Sequence, residues 1–224
     1  PRAPRWSPDG RLIVYSSTAD GRSRLHIVDA ASGRLRELPT PPELSGENPN
    51  WSLDGASIIC PGLGEREVRI YRVNADGRSA PEAISGPSWI EAVETRGGLI
   101  GSRLGEPGVW RLPRGAEAPV AITPLAPAAC ACPTAVAVLS GSHWRIVGDR
   151  LYLLVTAPVG RERIVVMDLA TGEALQTYPV AGEGQPSFAY LAVDPASGAI
   201  FYARSARERY WREVGLMRLR SRTS

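Results

Sequence analysis

Few residues of this chain have the type and spacing that bond-making chemistry needs. Of its 224 residues only two are histidine, His26 and His143. His26 sits inside the apolar run Leu25-His26-Ile27-Val28, at the place Ile70 takes in the similar run Val68-Arg69-Ile70-Tyr71, so a structural or edge role is expected. His143 precedes Trp144-Arg145-Ile146-Val147 and is a candidate ligand contact, because concave mouths collect polar groups. No serine lies in the Gly-x-Ser-x-Gly turn that exposes a hydrolase nucleophile. Asp9 and Asp54 stand at matching places in Ser7-Pro8-Asp9-Gly10 and Ser52-Leu53-Asp54-Gly55, which reads as a repeated turn rather than a metal site. Glu65 and Glu67 fall where two strands join and read as solvated.

The three cysteines are an odd number, too few for a disulfide framework. Cys130 and Cys132 are one residue apart, a span too tight for a bond between them. Cys60 ends an apolar run and reads as a small buried hydrophobe. A bond from Cys60 to Cys130 or Cys132 stays open for an oxidising compartment. Zinc needs more ligands at recognisable spacing, so no metal or other cofactor is expected.

The elements that must position these residues are short strands. From Pro4 the chain reads Pro-Arg-Trp-Ser-Pro-Asp-Gly, then Leu12-Ile13-Val14-Tyr15, Leu25-His26-Ile27-Val28-Asp29 and Leu35-Arg36-Glu37-Leu38, with Gly, Asp and Ser between the runs. Such runs bounded by turn residues are strands, and four of them make one small antiparallel sheet. A lone sheet of this kind cannot bury both faces, so it needs copies of itself as neighbours. A copy follows at Pro49-Asn50-Trp51-Ser52-Leu53-Asp54-Gly55, with Trp51 placed 45 residues after Trp6. The expected task of Trp6, Trp51 and Trp144 is packing between sheets.

The chain can bury a substantial core, and no run is apolar and long enough to span a membrane as a helix. Pro1 in place of Met and the lack of a signal peptide lead us to expect an excised or processed piece. All 26 basic residues are arginine and the formal net charge is +3. The arginines from Arg204 to Arg222 are interrupted by Glu208 and Glu213, which suits a solvated strand face better than a nucleic-acid surface, so no direct nucleic-acid contact is expected.

On the Trp-Ser-Pro-Asp-Gly opening and its second copy, the chain resembles the PD40 repeat family of WD40-like, TolB-like β-propellers. The resemblance implies an all-β fold, a propeller of four-stranded antiparallel blades. Five blades are recognisable, at about 1–40, 47–84, 87–123, 134–180 and 186–224, in one domain over 1–224. TolB-type propellers usually have six, so a six-bladed parent lacking an N-terminal blade is the variant reading. The third blade is degenerate, with Arg96-Gly97-Gly98 where Asp-Gly stood. Residues 124–142 form the longest connection, within which 134–139 look like a strand. Gly108-Val109-Trp110-Arg111-Leu112, His143 to Tyr152, and Phe201-Tyr202-Ala203-Arg204 with Glu213 to Leu219 further resemble the C-terminal half of CadC-like winged-helix transcriptional regulators. That implies a bacterial sensor half, periplasmic by analogy, with the cytoplasm as the alternative.

The expected function is recognition of a protein or peptide, without catalysis and with no catalytic residues. Arg5, Asn50, Trp89, His143 and Tyr190 lie where the chain enters or approaches inner strands, so a propeller would gather them at one mouth, and arginine and aromatic side chains anchor peptides well. The alternative is a metal-dependent hydrolase or lyase of the propeller type. Such a site needs several acidic or histidine ligands on the inner strands, whereas the corresponding points here are Arg5, Asn50, Ala92 and Ala192.

Overall fold

Two turns with the same hydrogen-bond pattern open the first two blades. In the first, the Ser7 hydroxyl donates to Asp9 Oδ1 at 2.6 Å, the Arg11 amide donates to the same oxygen at 3.1 Å, and the Leu12 amide donates to Ser7 Oγ at 2.9 Å. In the second, Ser52 donates to Asp54 Oδ1 at 2.6 Å, the Ala56 amide at 2.9 Å, and the Ser57 amide donates to Ser52 Oγ at 2.9 Å. Gly10 and Gly55 both close their turns at φ +70°, where a Cβ would be strained. The hydroxyl and then the amide hold both carboxyls below the usual aspartate range. Asp9 and Asp54 are therefore spent on turning the chain.

The computed structural model describes residues 2–19, 21–39, 44, 48–63, 67–123, 144–155, 163–180, 190–194, 197–205 and 212–217. Every regular element among them is a strand, and among the described residues no helix is long and apolar enough to cross a membrane. The chain divides into two compact units, 1–121 and 122–224.

The first unit holds three blades. Strands β1 (Arg2–Trp6), β2 (Leu12–Ala19), β3 (Arg22–Asp29) and β4 (Leu35–Leu38) pair in sequence order. So do β5 (Asn50–Trp51), β6 (Ser57–Leu63), β7 (Val68–Asn74) and β8 (Glu82–Ala83). The third sheet is β9 (Trp89–Thr95), β10 (Gly98–Arg103), β11 (Glu106–Pro113) and β12 (Val120–Thr123). The second unit begins within β12 and continues with β13 (Trp144–Val147), β14 (Arg150–Val155), β15 (Arg163–Asp168) and β16 (Ala174–Pro179), then β17 (Tyr190–Val193), β18 (Ile200–Ser205) and β19 (Arg212–Met217). β13 to β16 form a fourth four-stranded sheet, and β17 to β19 a three-stranded one among the described residues. All pairings are antiparallel between successive strands, so this is an all-β fold of propeller blades. The run 134–139 lies outside the described residues.

Strand alternation explains the core. Val14, Leu25, Ile27 and Leu38 from one face of the first blade meet Trp51, Ile58, Cys60 and Val73 from the facing side of the second. Ile59 and Ile70, on the second blade's other face, meet Trp89, Ala92, Leu99 and Leu112 of the third. In the second unit Tyr152, Leu154, Ile164 and Val166 meet Leu191 and Ile200. Each fully buried aliphatic side chain here stabilises the fold by about 1.5–3 kcal/mol.

Two expectations change. His26 pairs with Tyr15, as Tyr71 pairs with Cys60, so His26 corresponds to Tyr71 and not to Ile70. One residue of register puts a side chain on the opposite face: Ile70 is fully buried in the core, whereas His26 is half-buried on the other side of its sheet. Trp51 and Trp144 are buried as expected, but Trp6 is 61 % exposed. The indole N–H of Trp51 donates to Arg5 O at 3.0 Å on the preceding blade. Trp6 occupies the same repeat position in the first blade.

Cys60 is a free, fully buried thiol, and burial pushes its pKa up to about 12. With almost no thiolate at pH 8, it should not react with a thiol reagent in the folded chain. In a chain carrying C130S and C132S, we expect one thiol to titrate only after denaturant is added. Rapid modification without denaturant would contradict the packing described for β6.

Candidate functional site

The first strands of the three blades in the first unit stand side by side and are tied by a row of polar bonds. Arg5 on β1 donates from Nε to Asn50 Oδ1 at 3.2 Å. Asn50 on β5 donates from Nδ2 to Ala92 O on β9 at 3.0 Å and to Asn48 O at 3.4 Å. Asn50 is thus buried, with both amide hydrogens spent on backbone oxygens. Its position follows from the Pro-Asn-Trp-Ser opening of the blade, which brings the chain into β5 just before the Ser52 turn.

Arg5 is held by hydrogen bonds and not by an ion pair. Besides Asn50, only Pro4 O takes one of its N–H groups, from Nη1 at 3.2 Å. No carboxylate forms an ion pair with it among the described residues. Desolvation lowers its pKa, and the charge of Glu91 partly offsets this. The other well-covered arginines of this unit differ. Arg72 meets Glu94 at 2.6 Å, and Arg103 meets Glu106 at 2.8 Å while lying 5.1 Å from the Trp110 ring centre. Glu94 also accepts from the Leu53 amide at 3.1 Å, clamping the second turn to the third blade.

The expected recognition residues are placed as follows. Arg5 and Asn50 are brought together. Trp89 opens β9 but is 1 % exposed, its ring taken up by the core around Ile59, Ile70 and Leu99. His143 lies outside the described residues, and Tyr190 opens β17 in the second unit.

Sequence reading passed over one pair. Ser17 Oγ lies 2.7 Å from His26 Nε2, a nucleophile-to-base distance, and the imidazole stacks on Tyr15 with ring centres 5.0 Å apart. The cross-strand pairs Tyr15–His26 and Ser17–Arg24 would have suggested it, had the register been known. A working hydrolase needs a third group to orient the histidine, yet Nδ1 of His26 is buried with no hydrogen-bond partner among the described residues. Among the described residues there is also no group of three or more His, Cys, Asp or Glu arranged to hold a metal ion.

No protein-family model matches the chain. It is 41 % identical over 96 residues to the "Uncharacterized peptidase YuxL" of Bacillus subtilis, which is 42 % of this chain and 13 % of that protein. It is 42 % identical over 50 residues to the Tol-Pal system protein TolB of Zymomonas mobilis, 21 % of this chain and 10 % of that one. The chain therefore spans only about a tenth of the length of these curated relatives. The crystal structure of TolB from Acinetobacter baumannii matches 97 % of this chain and 51 % of its own, with TM-score 0.69 and 19 % identity. The fold is that of a TolB-like β-propeller.

Proposed function

We propose that the chain is a non-enzymatic propeller that binds a protein or peptide partner along the first-strand row built on Arg5 and Asn50. The observation that carries this reading is that row: a half-buried cation fixed by a satisfied amide, on strands that a propeller turns toward its channel, in a TolB-like fold. Rigid backbone and a preset side chain lower the entropy lost on binding. The five blades belong to one propeller domain in this reading. The finer reading is a periplasmic sensor half of a bacterial transcriptional regulator; a winged helix and an apolar helix encoded upstream in the native gene would support it, and any other upstream domain would count against it.

The test is selection of heptapeptides from a phage-displayed random library on the 224-residue chain. Selected peptides should slow hydrogen exchange in β1, β5 and β9. Protection confined to the outer strands, or failure to select any binder, would overturn the reading. A second reading, hydrolysis, is favoured by the likeness to the YuxL peptidase, with Ser17 and His26 as the pair to test. It requires release from p-nitrophenyl esters or peptide p-nitroanilides that falls on His26→Ala substitution or on chelation of metal.

A further inference from the structure

We propose that Arg5 is a carboxylate receptor, held in a binding geometry by Asn50, so that the partner presents an acidic group to the first-strand row. The inference rests on the recognition reading above and names the chemistry of what is recognised.

A guanidinium carries five N–H donors. Here one is taken by Asn50 Oδ1 and one by Pro4 O, both at 3.2 Å, and the other three have no protein partner among the described residues. Covering a cation without a carboxylate in direct contact is unfavourable, and the fold avoids it elsewhere in the same unit by setting Glu94 against Arg72 and Glu106 against Arg103. Glu91, buried on β9, contributes favourable charge to Arg5 without forming an ion pair with it. The side chain is not loose either. Asn50 fixes Nε and is itself pinned to Ala92 O and Asn48 O. A fixed guanidinium whose remaining N–H groups have no partner among the described residues matches the two oxygens of a carboxylate in a planar, two-bond contact. Asn50 has no amide hydrogen left to offer and acts as the positioning residue.

The carboxylate could belong to an aspartate or glutamate side chain or to a peptide C-terminus, and the test separates them. Heptapeptides selected as above are resynthesised in two forms. One keeps its acidic side chain and has an amidated C-terminus; the other has the side chain as its amide and a free C-terminus. Affinities are read by fluorescence polarisation on the chain, on Arg5→Gln and on Arg5→Lys. We expect the form with the acidic side chain to bind the unaltered chain about ten- to a hundred-fold more tightly than the form whose side chain is an amide, the range for a charged hydrogen bond. The same loss should appear in R5Q, combining the two changes should lose little more, and R5K should recover only part because ammonium lacks the planar fork. If the form with the free terminus is the one that discriminates between chain and R5Q, the terminal carboxylate is the recognised source. Comparing the two peptide forms on the unaltered chain does not depend on R5Q folding.

Selected peptides with no acidic preference, or equal affinity for the chain and a folded R5Q, would overturn the role of Arg5 while leaving peptide recognition standing. Selection of no peptide would overturn both.

Discussion

Gly101→Val should destabilise the first unit by about 3 kcal/mol or more, at the upper end of overpacking costs. A Cβ at position 101 would sit 1.9 Å from Glu91 O, 2.9 Å from Glu91 C and 3.0 Å from Ala92 Cα. All three are backbone atoms of β9, so no side chain can swing away. Gly101 pairs with Ala92 on one side and Trp110 on the other, which leaves the strand little room to shift. Any shift of β9 also moves Ala92 O, the acceptor that holds Asn50 and through it Arg5. Peptide affinity should therefore fall with stability. The control is Gly105→Ala in the same sheet, at φ +75° with nothing within 4 Å of its Cβ, which should cost only about 1 kcal/mol of conformational strain. Urea unfolding midpoints read both; equal losses would show that the β9–β10 contact is looser than described.

The second large effect separates two tryptophans that look equivalent in the sequence. Trp89→Ala should cost about 3–5 kcal/mol, the range for emptying a fully buried aromatic site. Its ring is enclosed by Ile59, Ile70, Ala92, Leu99 and Leu112, with Ile84 and Trp110 packed behind. Trp6→Ala should change stability by no more than about 0.5 kcal/mol, since the side chain is 61 % exposed. A comparable loss at Trp6 would mean that its indole is covered in solution, as that of Trp51 is. Thermal melts of the two variants distinguish these outcomes directly.

Much of the architecture was legible because it is local. Ser, Asp and Gly at fixed offsets make the turns of Ser7 and Ser52, and β-branched runs between them make strands, whatever lies elsewhere. The degenerate third blade was also found, since Leu99-Ile100 and Val109-Trp110 keep their apolar character without the Asp-Gly turn. The site was less legible. Arg5 and Asn50 were singled out by position, but the bond joining them spans 45 residues and depends on how two sheets pack. Trp89 was expected at a rim and is in the core, because a register shift between Ser102 and Arg103 sets it opposite Arg103 at the start of β9. Such an irregularity re-aims a side chain and leaves no mark in composition.

The sequence by itself determined the sheets, their order and the turns between them, because hydrogen-bonding turn residues and alternating apolar residues act over a few positions. Only the tertiary structure decided which face each residue serves and which charges are matched. Those outcomes depend on register and on contacts between blades: they bury Trp89, expose Trp6, join Glu94 to Arg72, and leave three Arg5 donors without a partner among the described residues.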